Sequence, residues 1–166
     1  MVKIGWMMVF MMICGVAVNS FAGENAAPRE VVEKVREAAA FLESAGETGL
    51  EAFMDKTSPW VWKDTYVFVL NCEKGVNAAH PIKPQMVGMK QIGLRDTNGK
   101  LFFAEFCNLA KKPKGGWVDY MWPKVGEKTP SRKITYVLQV PGMPYQVGAG
   151  IYETGLPMAE LEKLLD

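Results

Sequence analysis

The stretch Trp60-Val-Trp-Lys-Asp-Thr-Tyr-Val-Phe-Val-Leu-Asn71 constrains this chain more than any other. Val67-Phe-Val-Leu70 is apolar and β-prone on both faces, which predicts a buried central strand. Asn71-Cys-Glu-Lys-Gly75 follows as a polar turn whose glycine suits positive φ. Val76-Asn-Ala-Ala-His80-Pro81 then returns as a second strand. This hairpin carries the only histidine in the sequence to a strand end beside aromatic residues. The expectation is a sheet assembled around the hairpin, with a pocket for a small anionic molecule.

The rest of the chain supplies the partners. Residues 1–22 have the build of a secretory signal peptide: Lys3, then an apolar run from residue 4 to 18, then Ser20-Phe-Ala22 as a cleavage signal. The competing reading is an uncleaved membrane anchor, for which the run is short. Cys14 lacks the small residue expected before a lipidated cysteine. Residues 23–166 then form one domain, periplasmic or secreted. Basic and acidic residues number 19 and 18, so the net charge is near zero, which argues against nucleic acid as a partner. Cys72 and Cys107 remain in the mature chain. They could pair in an oxidising compartment or stay as two buried thiols.

Val31, Val35, Ala38, Ala39 and Leu42 form one helical stripe after Pro28, and Gly46 is a natural stop. A second short helix is expected over 50–54. Pro81 and Pro84 stiffen the chain after the hairpin. Arg95-Asp-Thr-Asn-Gly-Lys100 reads as a turn, because the closing glutamate of a calcium loop is missing. A helix is expected over 101–110, with Phe102, Phe103, Phe106 and Leu109 on its apolar flank. Strands follow over 117–122, 133–140 and 145–152, the last two as a hairpin around Pro141-Gly142, and a short helix closes the chain. The order predicts an α+β fold with a five-stranded antiparallel sheet.

Six motifs occur in register: Trp62-Lys-Asp-Thr-Tyr-Val-Phe-Val, Ala79-His80-Pro81, Asp96-Thr-Asn-Gly-Lys, Gly116-Trp-Val-Asp-Tyr-Met-Trp-Pro123, Lys133-Ile-Thr-Tyr-Val and Val147-Gly-Ala-Gly-Ile-Tyr152. The series resembles the single Cache domain family, the extracytoplasmic PAS-like sensor modules of bacterial chemoreceptors and kinases. The resemblance covers about residues 30 to 155. It implies a long N-terminal helix on a twisted antiparallel sheet of about five strands. It also implies a helical insert between strands 2 and 3 and a ligand pocket under that insert. Ligands of such domains are often acetate, propionate, lactate or pyruvate. No membrane span or signalling module follows Tyr152, so the expectation is a free-standing form that binds its ligand and presents it to a membrane receptor or kinase. Membrane contact is expected only if the leader is retained.

A small carboxylate needs apolar walls and a few donors. The donors on offer are His80, Tyr66, Tyr120, Tyr136, Trp122 and Lys133, with His80 expected to serve best as imidazolium. Tyr66 and Phe68 share a strand face as apolar wall, and Phe103 could close the pocket. Lys133 and Tyr136 alternate to opposite faces of a regular strand, so both reach one pocket only if the strand start is bulged. Each of these residues also has a purely structural reading as packed core or surface.

Enzymatic readings find little support. One histidine and two mature cysteines do not make the usual zinc set, and no Gly-x-Ser-x-Gly elbow is present. Gly148 and Gly150 fit close backbone approach better than a dinucleotide fingerprint. An enzyme would need Asp119 or Glu105 beside His80. No cofactor is expected. The alternative to ligand binding is an envelope protein–protein interaction module with no small-molecule ligand and a solid core at His80, Tyr120 and Trp122.

Overall fold

A computed structural model describes residues 24–152 and 155–166. The leader assigned to residues 1–22 lies outside the described residues.

Helix α1 spans Pro28–Ala45. Proline opens it without losing a helical hydrogen bond, and the Glu30 carboxylate accepts the N–H of Ala27 at 2.8 Å. The expected stripe is buried, joined by Val32. Gly46 ends the helix at φ 67°, where a side chain would be strained. The chain continues as a 3-10 helix, Gly46–Phe53, four residues earlier than the short helix expected at 50–54.

Strands β1 (Val61–Trp62) and β2 (Thr65–Tyr66) make a miniature hairpin that the sequence reading did not foresee. Its turn places Lys63 at φ 48°. The main hairpin follows as β3 (Phe68–Asn71) and β4 (Val76–Ala79), with Gly75 at φ 68° in the turn. Helix α2 (Phe102–Ala110) is the helical insert. Then come β5 (Gly116–Pro123), β6 (Pro130–Gln139) and β7 (Gln146–Tyr152), and the short helix α3 (Met158–Glu162). The fold is α+β, as expected.

The sheet is antiparallel throughout in the order β4-β3-β7-β6-β5. One expectation is corrected here. The 67–70 segment is not the central strand, and its hairpin forms one side of the sheet. The centre is β7, every residue of which is buried. Val147-Gly-Ala-Gly-Ile is small enough to be covered on both faces. The pairing Phe68↔Gly148 joins residues eighty positions apart, a relation no local pattern encodes.

The two sheet faces build two cores. Val69, Ile134, Tyr136, Val147, Ala149 and Ile151 pack beneath α1. Tyr66, Phe68, Leu70, Val118, Tyr120 and Val137 pack beneath α2. Cys72 and Cys107 form a disulfide with Cα atoms 5.6 Å apart. It fastens α2 to the turn after β3 and resolves the choice left open above. Asp96 takes backbone N–H groups of Asn98, Lys100 and Met121 on its carboxylate, which makes its loop a capped turn.

Candidate ligand-binding site

A cavity opens between the sheet and α2. Its lining includes Tyr66, Phe68, His80, Phe103, Tyr120 and Trp122, six of the eight residues singled out from the sequence. Alternation explains the convergence. Tyr66, Phe68 and Leu70 project from one face along β2–β3, and Tyr120 and Trp122 from the same face of β5. Phe102, Phe103 and Phe106 project from α2 as its lid. The free space between its walls is about 320 Å³, part of it open to solvent, but the centre of a water molecule can move in only about 20 Å³ of it. That admits about one water without displacement of the walls.

The rings interlock. Phe102 stacks on Tyr120 with centroids 4.6 Å apart, and the His80 ring lies 4.9 Å from Tyr66 and 6.0 Å from Phe68. The indole N–H of Trp122 donates to the Tyr66 hydroxyl at 3.1 Å, and the Tyr120 hydroxyl shares a 3.2 Å hydrogen bond with Thr135. Burial pushes the Tyr66 phenol up to about 12 and raises Tyr120 as well. Both are neutral hydroxyls at physiological pH.

His80 differs from expectation in its charge. Its Nδ1 accepts the backbone N–H groups of Ile82 at 3.3 Å and Lys83 at 3.1 Å, so the ring proton sits on Nε2. Burial, aided by the nearby Lys133 and Lys83 charges, pushes its pKa down to about 3. In this structure His80 is a neutral donor, not the imidazolium expected from the sequence.

Lys133 is fully buried. It does not line the cavity directly. Its ammonium lies behind the wall, 4.2 Å from the Tyr66 ring centre, 5.0 Å from that of Tyr152 and 5.9 Å from that of Phe68. Among the described residues this ammonium has no hydrogen-bond partner. Burial pushes its pKa down to about 7; Asp64 opposes the shift and Lys83 adds to it. Gly150 makes room for it, since a Cβ there would come within 2.7 Å of Lys133 Cε. Gly148 does the same for Phe68, at 2.9 Å from its ring. Both glycines thus serve close approach, as anticipated.

Tyr136 is the correction in the set. It faces α1 and donates its hydroxyl to the Lys114 carbonyl at 2.9 Å. Strand β6 pairs without a bulge over this stretch, so alternation sends Tyr136 away from Lys133. Asp119 and Glu105 both pair with Lys100.

Sequence reasoning missed Asn77 and Gln91, two buried carboxamides in the lining, and Met86. Asn77 carried a faint signal as the polar residue in an otherwise apolar return strand. Gln91 carried none, because it lies in an irregular loop held by a 2.8 Å bond from its N–H to the Gly75 carbonyl.

A helix-backed antiparallel sheet with an aromatic cavity under a helical insert is the architecture of a sensor-type domain. The model of the family "Single Cache domain 2" matches residues 18–159, and the chain belongs to that family. It is similar to a solved periplasmic sensor domain of a chemotaxis protein, with 30% identity and a TM-score of 0.62, covering 76% of this chain and 93% of that one. A second solved structure, a Cache chemosensory domain described for its carboxylic acid recognition, is 25% identical with a TM-score of 0.64, covering 75% and 92%. The methyl-accepting chemotaxis protein McpP of Pseudomonas putida is 32% identical over 73 residues, which is 44% of this chain and only 13% of that receptor's length. The two solved structures are sensory domains, and McpP is a whole chemotaxis receptor. Among the described residues no helix is long and apolar enough to cross a membrane.

Proposed function

We propose that this domain binds a small organic acid of the acetate, propionate, lactate or pyruvate class outside the cytoplasm. The observation that carries the reading is the Lys133 ammonium, buried without an acceptor against the cavity wall. A buried cation with no hydrogen-bond acceptor and only the Asp64 charge to oppose its burial is costly, and an anion in the cavity offsets that cost. The walls must part to admit an acid of this size, since as they stand they leave room for about one water; they then suit a short alkyl part, and the His80 Nε2–H and the tyrosine hydroxyls supply donors. The carboxylic acid recognition described for one structural relative supports the same class. In this reading the leader is removed after Ala22, and a membrane receptor or kinase reads the loaded domain.

The test is a thermal-shift and calorimetric screen of C2 to C4 acids on residues 23–166, with Lys133→Met and His80→Ala alongside. A binder at a hundredfold excess over Kd stabilises by about 2.7 kcal/mol. No response to any acid, or equal responses in both variants, rejects the reading. A protein that instead captures an envelope partner without any acid supports the interaction-module alternative. Mass spectrometry of the secreted chain tests the Ala22–Gly23 cleavage.

A further inference from the structure

The cavity has two unlike polar ends. Lys133 pairs with Tyr152 at one end of β7. Asn77 pairs with Leu70, which pairs with Gln146 at the other end. Asn77 and Gln91 are 6% and 4% exposed, and both face the cavity. Among the described residues neither side-chain amide meets a hydrogen-bond partner. Their backbones, in contrast, are pinned: the Asn77 carbonyl accepts the Gly88 N–H at 2.9 Å, and the Gln91 N–H donates to Gly75. Two carboxamides thus line an aromatic chamber with no protein partner for their amides, which keep slight access to water. An alkyl end that covered these amides would strip their water and return no hydrogen bond, so it is disfavoured and an oxygen-bearing group is favoured.

We propose that Asn77 and Gln91 are specificity residues that read a hydroxyl or oxo group on the ligand, so that the domain selects oxygen-substituted short acids over unsubstituted fatty acids. This inference rests on the small-acid reading above. A site built to hydrogen-bond a substituent rejects the analogue lacking it far more strongly than an apolar pocket rejects an extra hydroxyl. Water fills the amide end when the ligand is absent or has no such group.

The experiment compares propionate with lactate, 3-hydroxypropionate and pyruvate by calorimetry on the mature protein, and repeats the series on Asn77→Leu and Gln91→Met. At least one oxygenated acid is expected to bind tenfold or more tighter than propionate. Each variant is expected to erase most of that preference, read as the ratio of the propionate Kd to the oxygenated-acid Kd, whatever it does to propionate binding itself. Gln91 lies on a loop, so its variant keeps the test available if the strand variant does not fold. If propionate binds as tightly as its oxygenated analogues, this inference fails and the small-acid reading stands. It fails equally if the variants weaken all four acids alike. If none of the acids binds, the small-acid reading fails and takes this one with it.

Discussion

The Lys133 ammonium sits 4.2 Å from the centre of the Tyr66 ring, fully buried and without an acceptor among the described residues. Cation–π attraction to Tyr66, Tyr152 and Phe68, worth about 2 kcal/mol when desolvated, and the Asp64 charge compensate it in part. That falls short of the several kcal/mol an unpaired buried ion costs. The residue is therefore a source of instability in the unliganded fold and of affinity in the liganded one.

Replacement of Lys133 by methionine separates the two effects. Lys133→Met is expected to leave the unliganded protein as stable as the wild type or more so, and to weaken acid binding by at least about tenfold, through loss of the positive charge behind the cavity wall. Its folded pKa of about 7 lies below the ordinary 10.5, so between these values the unfolded chain binds the extra proton. Wild-type stability should then rise with pH from about 7 upward, and this slope should vanish in the variant. Urea unfolding at several pH values reads both.

His80 predicts the behaviour in acid. Its pKa of about 3 when folded lies below the ordinary 6.5, so acid favours the unfolded, protonated form. Stability should fall as pH drops below about 6.5. Between about pH 5 and 6.5 few carboxylates titrate, so the slope there belongs to histidine, up to about 1.4 kcal/mol per pH unit. His80→Phe should flatten it. Thermal melts across that interval measure the difference, and an unchanged slope would sink the neutral-histidine assignment.

Reduction of the Cys72–Cys107 disulfide should loosen α2, which carries three of the cavity's phenylalanines. The bridge closes a chain segment with a sequence separation of 35, for which loop entropy gives about 3–4 kcal/mol. Melting with and without a thiol reductant should show that loss. Hydrogen exchange should place the early opening at 102–110.

Gly150→Ala tests the packing that shelters Lys133. The added methyl would collide with Thr135 Oγ1, Lys133 Cε and the Ile134 carbonyl oxygen, the last a backbone atom that cannot swing aside. Overpacking of this kind costs about 1–3 kcal/mol. The variant should lose that much stability in urea and also lose ligand affinity, because Lys133 is displaced.

Much of the site was legible because strand alternation is local. Tyr66 with Phe68, and Tyr120 with Trp122, share faces by period two, and the structure keeps them so. The same rule sets Tyr136 opposite Lys133, and the regular pairing of β6 enforces it. The charge of His80 was not legible, since it depends on burial and on two N–H groups from a loop that turns back on the ring. Asn77 and Gln91 come together only through the irregular segment after Pro81, where no periodicity exists to be read.

By itself the sequence determined the α1 stripe, the α2 insert, the β3–β4 and β6–β7 hairpins and the membership of the family, because each depends on neighbours within a few residues or on motif order. Tertiary structure alone decided that β7 is the centre of the sheet, that Cys72 meets Cys107, and that a lysine is sealed behind a tyrosine. Those outcomes follow from pairings between residues tens of positions apart, such as Phe68 with Gly148. Their energies come from burial and shape fit, which exist only once the chain has closed on itself.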